Sequence, residues 1–252
     1  MVLSALRWKI TANRLGQSLT TMRAVTEYYL ATIANLSLPG GVTGDAARVY
    51  RNRQSGALGT AFQGVVLERL AGQLSLLLIV IIGWLLWPLL MPGSVPDFLF
   101  RTLGTTVLLI AVLALVFCLL LKLAPDRITR ALLDFGPALH TAWLMDRQWI
   151  VQGVLSIAIV TTYLLVFLFC SIALDAALSL PALLTVVPLV LLSMLIPLSI
   201  GGWGIREASA AILWPVAGLS SEAGIATSIV YALVSLFGCI PGMVLWVLQS
   251  KR

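Results

Sequence analysis

Residues 71–91 read Ala71-Gly-Gln-Leu-Ser-Leu-Leu-Leu-Ile-Val-Ile-Ile-Gly-Trp-Leu-Leu-Trp-Pro-Leu-Leu-Met91, with no ionisable side chain among them. A helix of about 20 such residues crosses the hydrocarbon core of a bilayer. Outward from this run, residues 103–121, 150–174 and 224–248 repeat the pattern. Residues 180–200 are long enough but broken by Pro181, Pro188 and Pro197. Residues 208–219 and 24–38 are too short to cross alone as regular helices. The 252-residue chain is 60% hydrophobic and only 10% charged, with a mean hydropathy of +1.03. A soluble domain needs roughly 25% charged residues to cover its surface. The chain therefore reads as an all-α polytopic membrane protein, a single membrane domain over 1–252. About five to six transmembrane helices are expected, with two broken or re-entrant segments near 24–53 and 181–219.

The net charge of +6 raises the question of nucleic acid. Its placement answers it, because Lys and Arg lie mostly in the gaps between apolar runs, as topology signals do. Arg48, Arg51, Arg53 and Arg69 precede the first long run, whereas residues 92–102 hold only Arg101. Lys122, Arg127, Arg130 and Arg147 mark the next loop. Segments before residue 71 and between 122 and 149 are therefore expected inside the cell. The Lys251–Arg252 tail joins them if 201–219 completes a crossing. Residues 122–149 mix acids with bases and end near Trp143 and Trp149. They fit an amphipathic interfacial segment or an ordinary surface loop. No cleavable signal peptide is expected, since no long apolar stretch follows Arg7, Lys9 and Arg14. Cys118, Cys170 and Cys239 lie inside apolar runs and read as packing residues.

Two segments echo each other. One is Asn35-Leu-Ser37-Leu-Pro39-Gly40-Gly41-Val-Thr-Gly44-Asp45-Ala-Ala-Arg48. The other is Pro197-Leu-Ser199-Ile-Gly201-Gly202-Trp-Gly204-Ile-Arg206-Glu207-Ala-Ser. Each has a Pro, a Gly pair and a third Gly, then ionisable residues and an Ala-rich helix. Gly and Pro free the backbone from the regular helix. In lipid such backbone persists only where protein buries it or water lines it. Paired breaks point to a central site built from discontinuous helices. Free N–H groups and a helix N-terminus at each break suit an anion such as a lipid phosphate, with Arg48 and Arg206 able to bind it bidentately. Asp45 and Glu207 could instead simply cap their helices. Ser37 and Ser199 could donate to the ligand or satisfy freed carbonyls. Glycine patterns of this kind also make ordinary turns and helix-packing patches. Two in register, each followed by intramembrane charge, favour function. If the echoes pack about a pseudo-two-fold axis, crossed pairs are expected, Asp45 with Arg206 and Glu207 with Arg48.

Glu68 and Arg69 open the first long run, where Arg69 reads as a marker of the cytoplasmic face and Glu68 as its neutraliser. His140 is the only histidine, so no His-based metal site or triad is available. No nucleophile has an adjacent base and no phosphate-binding P-loop is present, so neither catalysis nor a cofactor is expected.

Residues 35–51, the run Val66-Leu-Glu-Arg-Leu-Ala-Gly72 and residues 197–208, in this order, resemble the lysylphosphatidylglycerol synthase transmembrane-region family, also called flippase-like. The resemblance runs from about Leu6 to the C-terminus. It implies a polytopic domain related to the part of those synthases that moves an aminoacylated phospholipid between leaflets. By motif it carries over Asn35, Pro39, Gly40, Gly41, Gly44, Asp45, Arg48, Glu68, Arg69, Gly201, Gly202, Gly204, Arg206 and Glu207. With Ser199 from the echo, these are the candidate lipid- and anion-binding residues. The resemblance also implies further spans ahead of Leu6-Arg-Trp-Lys9, so the chain reads as a shortened member. No aminoacyl-transferase domain follows the last run, so lysyl transfer is not expected.

Three functions follow as expectations. The first is a flippase-like protein of the inner membrane that handles a phosphate-bearing lipid. The second is a non-catalytic membrane subunit scaffolding a lipid- or glycan-modifying enzyme. The third, a membrane-embedded transferase with Asp45 or Glu207 as base, lacks a supporting constellation.

Overall fold

The computed structural model describes residues 1–38, 41–53, 58–90, 134–195 and 200–244. The expected span at 103–121, the loop 92–102 and the candidates Pro39, Gly40 and Ser199 lie outside the described residues, as does Pro197. The described residues are helical. In chain order they form α1 (Val2–Arg14), α2 (Thr21–Ser37), α3 (Thr43–Asn52) and α4 (Leu58–Leu90). After these come α5 (Phe135–Leu139), α6 (Gln148–Ile172), α7 (Leu180–Ser193), α8 (Ile205–Leu213) and α9 (Ser221–Phe237).

Among the described residues three stretches are long and apolar enough to cross a membrane: Leu58–Leu89, Phe135–Ile172 and Ser221–Val244. The expected run at 71–91 is the distal part of α4, whose 33 residues extend about 50 Å at 1.5 Å per residue. The helix already runs at Leu58, so Glu68 and Arg69 sit inside it rather than at its mouth. Glu68 is buried and pairs with Arg7 and Arg48, while Arg69 pairs with Asp45, which corrects the reading of Glu68 as the neutraliser of Arg69. With 14 residues, α7 is about 21 Å long, too short to cross the roughly 30 Å core alone.

Local chemistry sets the helix ends. The Thr20 hydroxyl accepts from Arg23 N at the start of α2, and the Ser220 hydroxyl from Ala223 N at the start of α9, which satisfies donors left free in a first turn. Pro188 lies inside α7 and has no N–H to offer the Leu184 carbonyl one turn back. There α4 packs against α7: a Cβ built on Gly83 would lie 2.8 Å from the Leu184 carbonyl oxygen. Glycine at 83 lets the α4 backbone cover a carbonyl that the proline has left free.

Segment 134–147 is neither a loop nor one regular helix. It forms α5, a π-turn over His140–Leu144 and a 3₁₀ turn over Met145–Arg147. Ala138 and Ala142 pack on Leu67 of α4. Asp146 and Arg147 both take positive φ, 54° and 56°, and Asp146 pairs with Arg14 of α1 at 2.6 Å.

Among the described residues the two larger clusters of buried side chains lie at either end of the helix order. Trp8, Leu19, Val49 and Val65 knit α1 to α4. Phe167, Val187, Trp214 and Tyr231 knit α6 to α9, with Phe167 stacked on Tyr231 at 4.2 Å between centroids.

Candidate functional site

At the first break α2 ends at Ser37 and α3 begins at Thr43, with Gly41 at φ +62° between them. Asn35, on the last turn of α2, fastens the two helices. Its Oδ1 accepts from Gly44 N at 2.8 Å and its Nδ2 donates to Asp45 Oδ2 at 3.1 Å. Gly44 lies so close to the Ala31 backbone that any Cβ there would collide with it. Glycine at 44 therefore permits the sharp return of α3 along α2.

From this turn a charged network runs inward. Arg48 Nη2 lies 3.0 Å from Asp45 Oδ1 and 3.4 Å from Glu68 Oε2. Arg7 of α1 donates to Glu68 Oε1 at 2.9 Å and to Ser156 of α6, also at 2.9 Å. The Tyr28 hydroxyl donates to Glu68 Oε1 at 3.2 Å. Arg48 also lies between two rings, 4.4 Å from the Trp8 centroid and 4.9 Å from that of Tyr28. Arg7, Arg48 and Glu68 are all buried. Arg69 closes the far side with a 2.5 Å contact to Asp45 Oδ2, while 46% of its own side chain stays exposed. Three guanidinium groups thus face two carboxylates, leaving a surplus of one positive charge.

The second break is built differently. Gly201, Gly202 and Gly204 all take positive φ, 58°, 84° and 83°. Glu207 Oε2 accepts from Gly204 N at 2.5 Å, capping α8. Its other oxygen, Oε1, accepts from Arg206 Nη2 at 2.6 Å. Arg206 Nε donates to Ser228 Oγ of α9 at 2.9 Å, and the Ser228 hydroxyl donates to Glu207 Oε1 at 3.1 Å. Arg206 also lies 5.4 Å from the Trp203 ring and 5.7 Å from that of Tyr231. This cluster is electrically neutral and confined to α8, α9 and the break.

The expected crossed pairs do not form. Asp45 pairs with Arg48 and Arg69, and Arg206 with Glu207. Each carboxylate pairs with arginines of its own network, and Arg206, paired with its chain neighbour Glu207, has no Coulombic reason to reach across. The breaks do meet: a Cβ built on Gly201 would lie 2.5 Å from the Leu36 carbonyl oxygen. The structure gathers Asn35, Gly44, Asp45, Arg48, Glu68 and Arg69 into one network, and Gly204, Arg206 and Glu207 into another.

Sequence reading missed Arg7, Trp8, Tyr28, Ser156 and Ser228. Arg7 had a signal, because Ser4, Arg7, Trp8 and Thr11 recur at helical spacing and are all buried in α1. Among the described residues no three His, Cys, Asp or Glu gather to hold a metal ion.

Long apolar helices, two glycine breaks in contact and arginines buried beside them define an integral, multi-pass membrane protein. The sequence model of the lysylphosphatidylglycerol synthase TM region matches residues 1–242. The chain belongs to that family. No curated protein and no solved structure gives a significant match.

Proposed function

We propose that this protein binds and translocates an anionic, phosphate-bearing lipid at the first break, in the cytoplasmic membrane, with its basic segments inside. The surplus positive charge of the first network, exposed at Arg69, carries this reading. Arg7 and Arg48 are buried and ion-paired with Glu68 and Asp45, which holds the helices together. Arg69 shares Asp45 with Arg48 and keeps an open face beside the N-terminus of α3, where a phosphate oxygen adds a charge-assisted bond. The contact between Gly201 and Leu36 supports treating both breaks as walls of one path. The matching helix–break–helix order of α2–α3 and α7–α8 supports an internal repeat.

Reconstituted vesicles carrying fluorescent phosphatidylglycerol or phosphatidylcholine, bleached from outside with dithionite, test the proposal. Transbilayer movement of the anionic lipid is expected to be faster, and Arg69→Gln is expected to remove that preference. Equal rates for both lipids, or an unchanged preference in Arg69→Gln, overturn it.

A further inference from the structure

Outside the network, α1 and α6 run antiparallel: Arg7 bonds Ser156, Thr11 bonds Gln152 and Arg14 pairs with Asp146. Those contacts use one face of each helix. The faces beside them leave a groove of about 460 Å³ walled by Leu6 and Ile10 of α1 and by Ile150, Val151, Val154 and Leu155 of α6. That volume is within the roughly 300–1,000 Å³ of ligand-holding pockets. Val154 is 62% exposed although its chemistry is fully apolar.

One charged residue, Lys9, lines this groove. Its ammonium donates to the Thr21 hydroxyl at 2.8 Å, and no carboxylate lies within ion-pair distance of it among the described residues. Thr21 begins α2, whose first turn contains no acid, so the positive helix end stands beside the ammonium. The groove across α6, about 240 Å³ and bordered by α4, has no charged residue in its lining. That contrast selects the α1/α6 groove.

We infer that the α1/α6 groove is a second lipid site, holding one anionic phospholipid of the bilayer with its acyl chain along Val154 and Leu155 and its phosphate on Lys9. An apolar wall ending in a single unneutralised cation complements an amphiphile that is apolar along its chain and anionic at its head. Lys9 lies on α1 between Arg7 and Thr11, facing the first two turns of α6. Its aliphatic stem lies along the apolar wall while the ammonium reaches the polar start of α2. The inference is independent of translocation at the first break.

The test places a photo-cross-linker in the groove of the full chain, as Val154→benzoylphenylalanine and separately Val151→benzoylphenylalanine. The protein is reconstituted with equimolar palmitoyl-oleoyl phosphatidylglycerol and phosphatidylcholine, and adducts are identified by mass. Phosphatidylglycerol adducts are expected to exceed phosphatidylcholine adducts about fivefold, the preference one lysine confers near a charged headgroup. Lys9→Gln is expected to bring the two to parity and Lys9→Arg to retain the excess. Adducts that follow the bulk lipid ratio whatever stands at position 9 overturn the inference. So do cross-links to residues 103–121 of the chain itself. Loss of the phosphatidylglycerol preference in transbilayer movement in Arg69→Gln, with this cross-linking excess intact, separates the two sites.

Discussion

The two glycine breaks look alike in sequence and hold their charges in opposite ways. At the first, Asp45 and Arg48 stand three residues apart on α3, and both reach α4, which presents Glu68 and Arg69. Arg7 and Tyr28 add α1 and α2, and Ser156 adds α6. At the second, Arg206 and Glu207 are chain neighbours that neutralise each other, while the facing helix α9 adds the Ser228 hydroxyl and the Tyr231 ring and no charge. A charge shielded from water needs a partner nearby. A partner on another helix makes the pair a tertiary fastener, and a partner on the same helix makes it a local cap. The first break therefore ties helices together and carries spare charge, whereas the second shapes a turn.

The comparison breaks first at Glu68. Glu68→Gln leaves Arg7 and Arg48 buried without their shared carboxylate, and removing one partner of a buried pair costs about 3–5 kcal/mol. Folded, monodisperse protein in detergent is expected to fall sharply, as read by size-exclusion yield and thermal unfolding. A variant as stable as the parent would show the network to be hydrated.

Gly201→Ala tests the contact between the breaks. It forces an alanine to φ +58° and drives its Cβ toward the Leu36 carbonyl. A left-handed alanine alone costs about 1–2 kcal/mol, and the collision adds to that. Gly218→Ala also places an alanine in left-handed backbone, at φ +77° and ψ 16°, but with open space around its Cβ. It should unfold at a higher temperature than Gly201→Ala, and equal midpoints would remove the contact.

Arg206→Gln sharpens the contrast from the other side. Glu207 keeps the Gly204 N–H and the Ser228 hydroxyl, so the loss is expected at about 1–3 kcal/mol, the cost of leaving a polar group under-satisfied. It should be milder than Glu68→Gln in the same unfolding assay, and a reversal of that order would make the second break the fastener. The smallest effect is expected for Asn35→Ala, which removes a borrowed cap from α3 at about 1 kcal/mol. Hydrogen exchange at Gly44 should rise while that at Gly204 stays unchanged.

The sequence by itself determined the membrane class and the long apolar helices among the described residues, and it nominated the candidate residues. Apolar runs, prolines and glycines act through their own chemistry, so residues 71–91 and 150–174 were legible as helix wherever their neighbours lay. The family was legible too, because its motifs are contiguous in the chain. The partners of the charges were decided only by the tertiary structure. Arg7 is 61 residues from Glu68 and 149 from Ser156, and nothing local distinguishes it from a basic topology marker. Glu68 likewise read as a helix-mouth acid, whereas α4 already runs at Leu58 and carries Glu68 inside the bundle. Helical propensity is a property of neighbours along the chain, whereas ion pairing follows distance in space once the helices have packed.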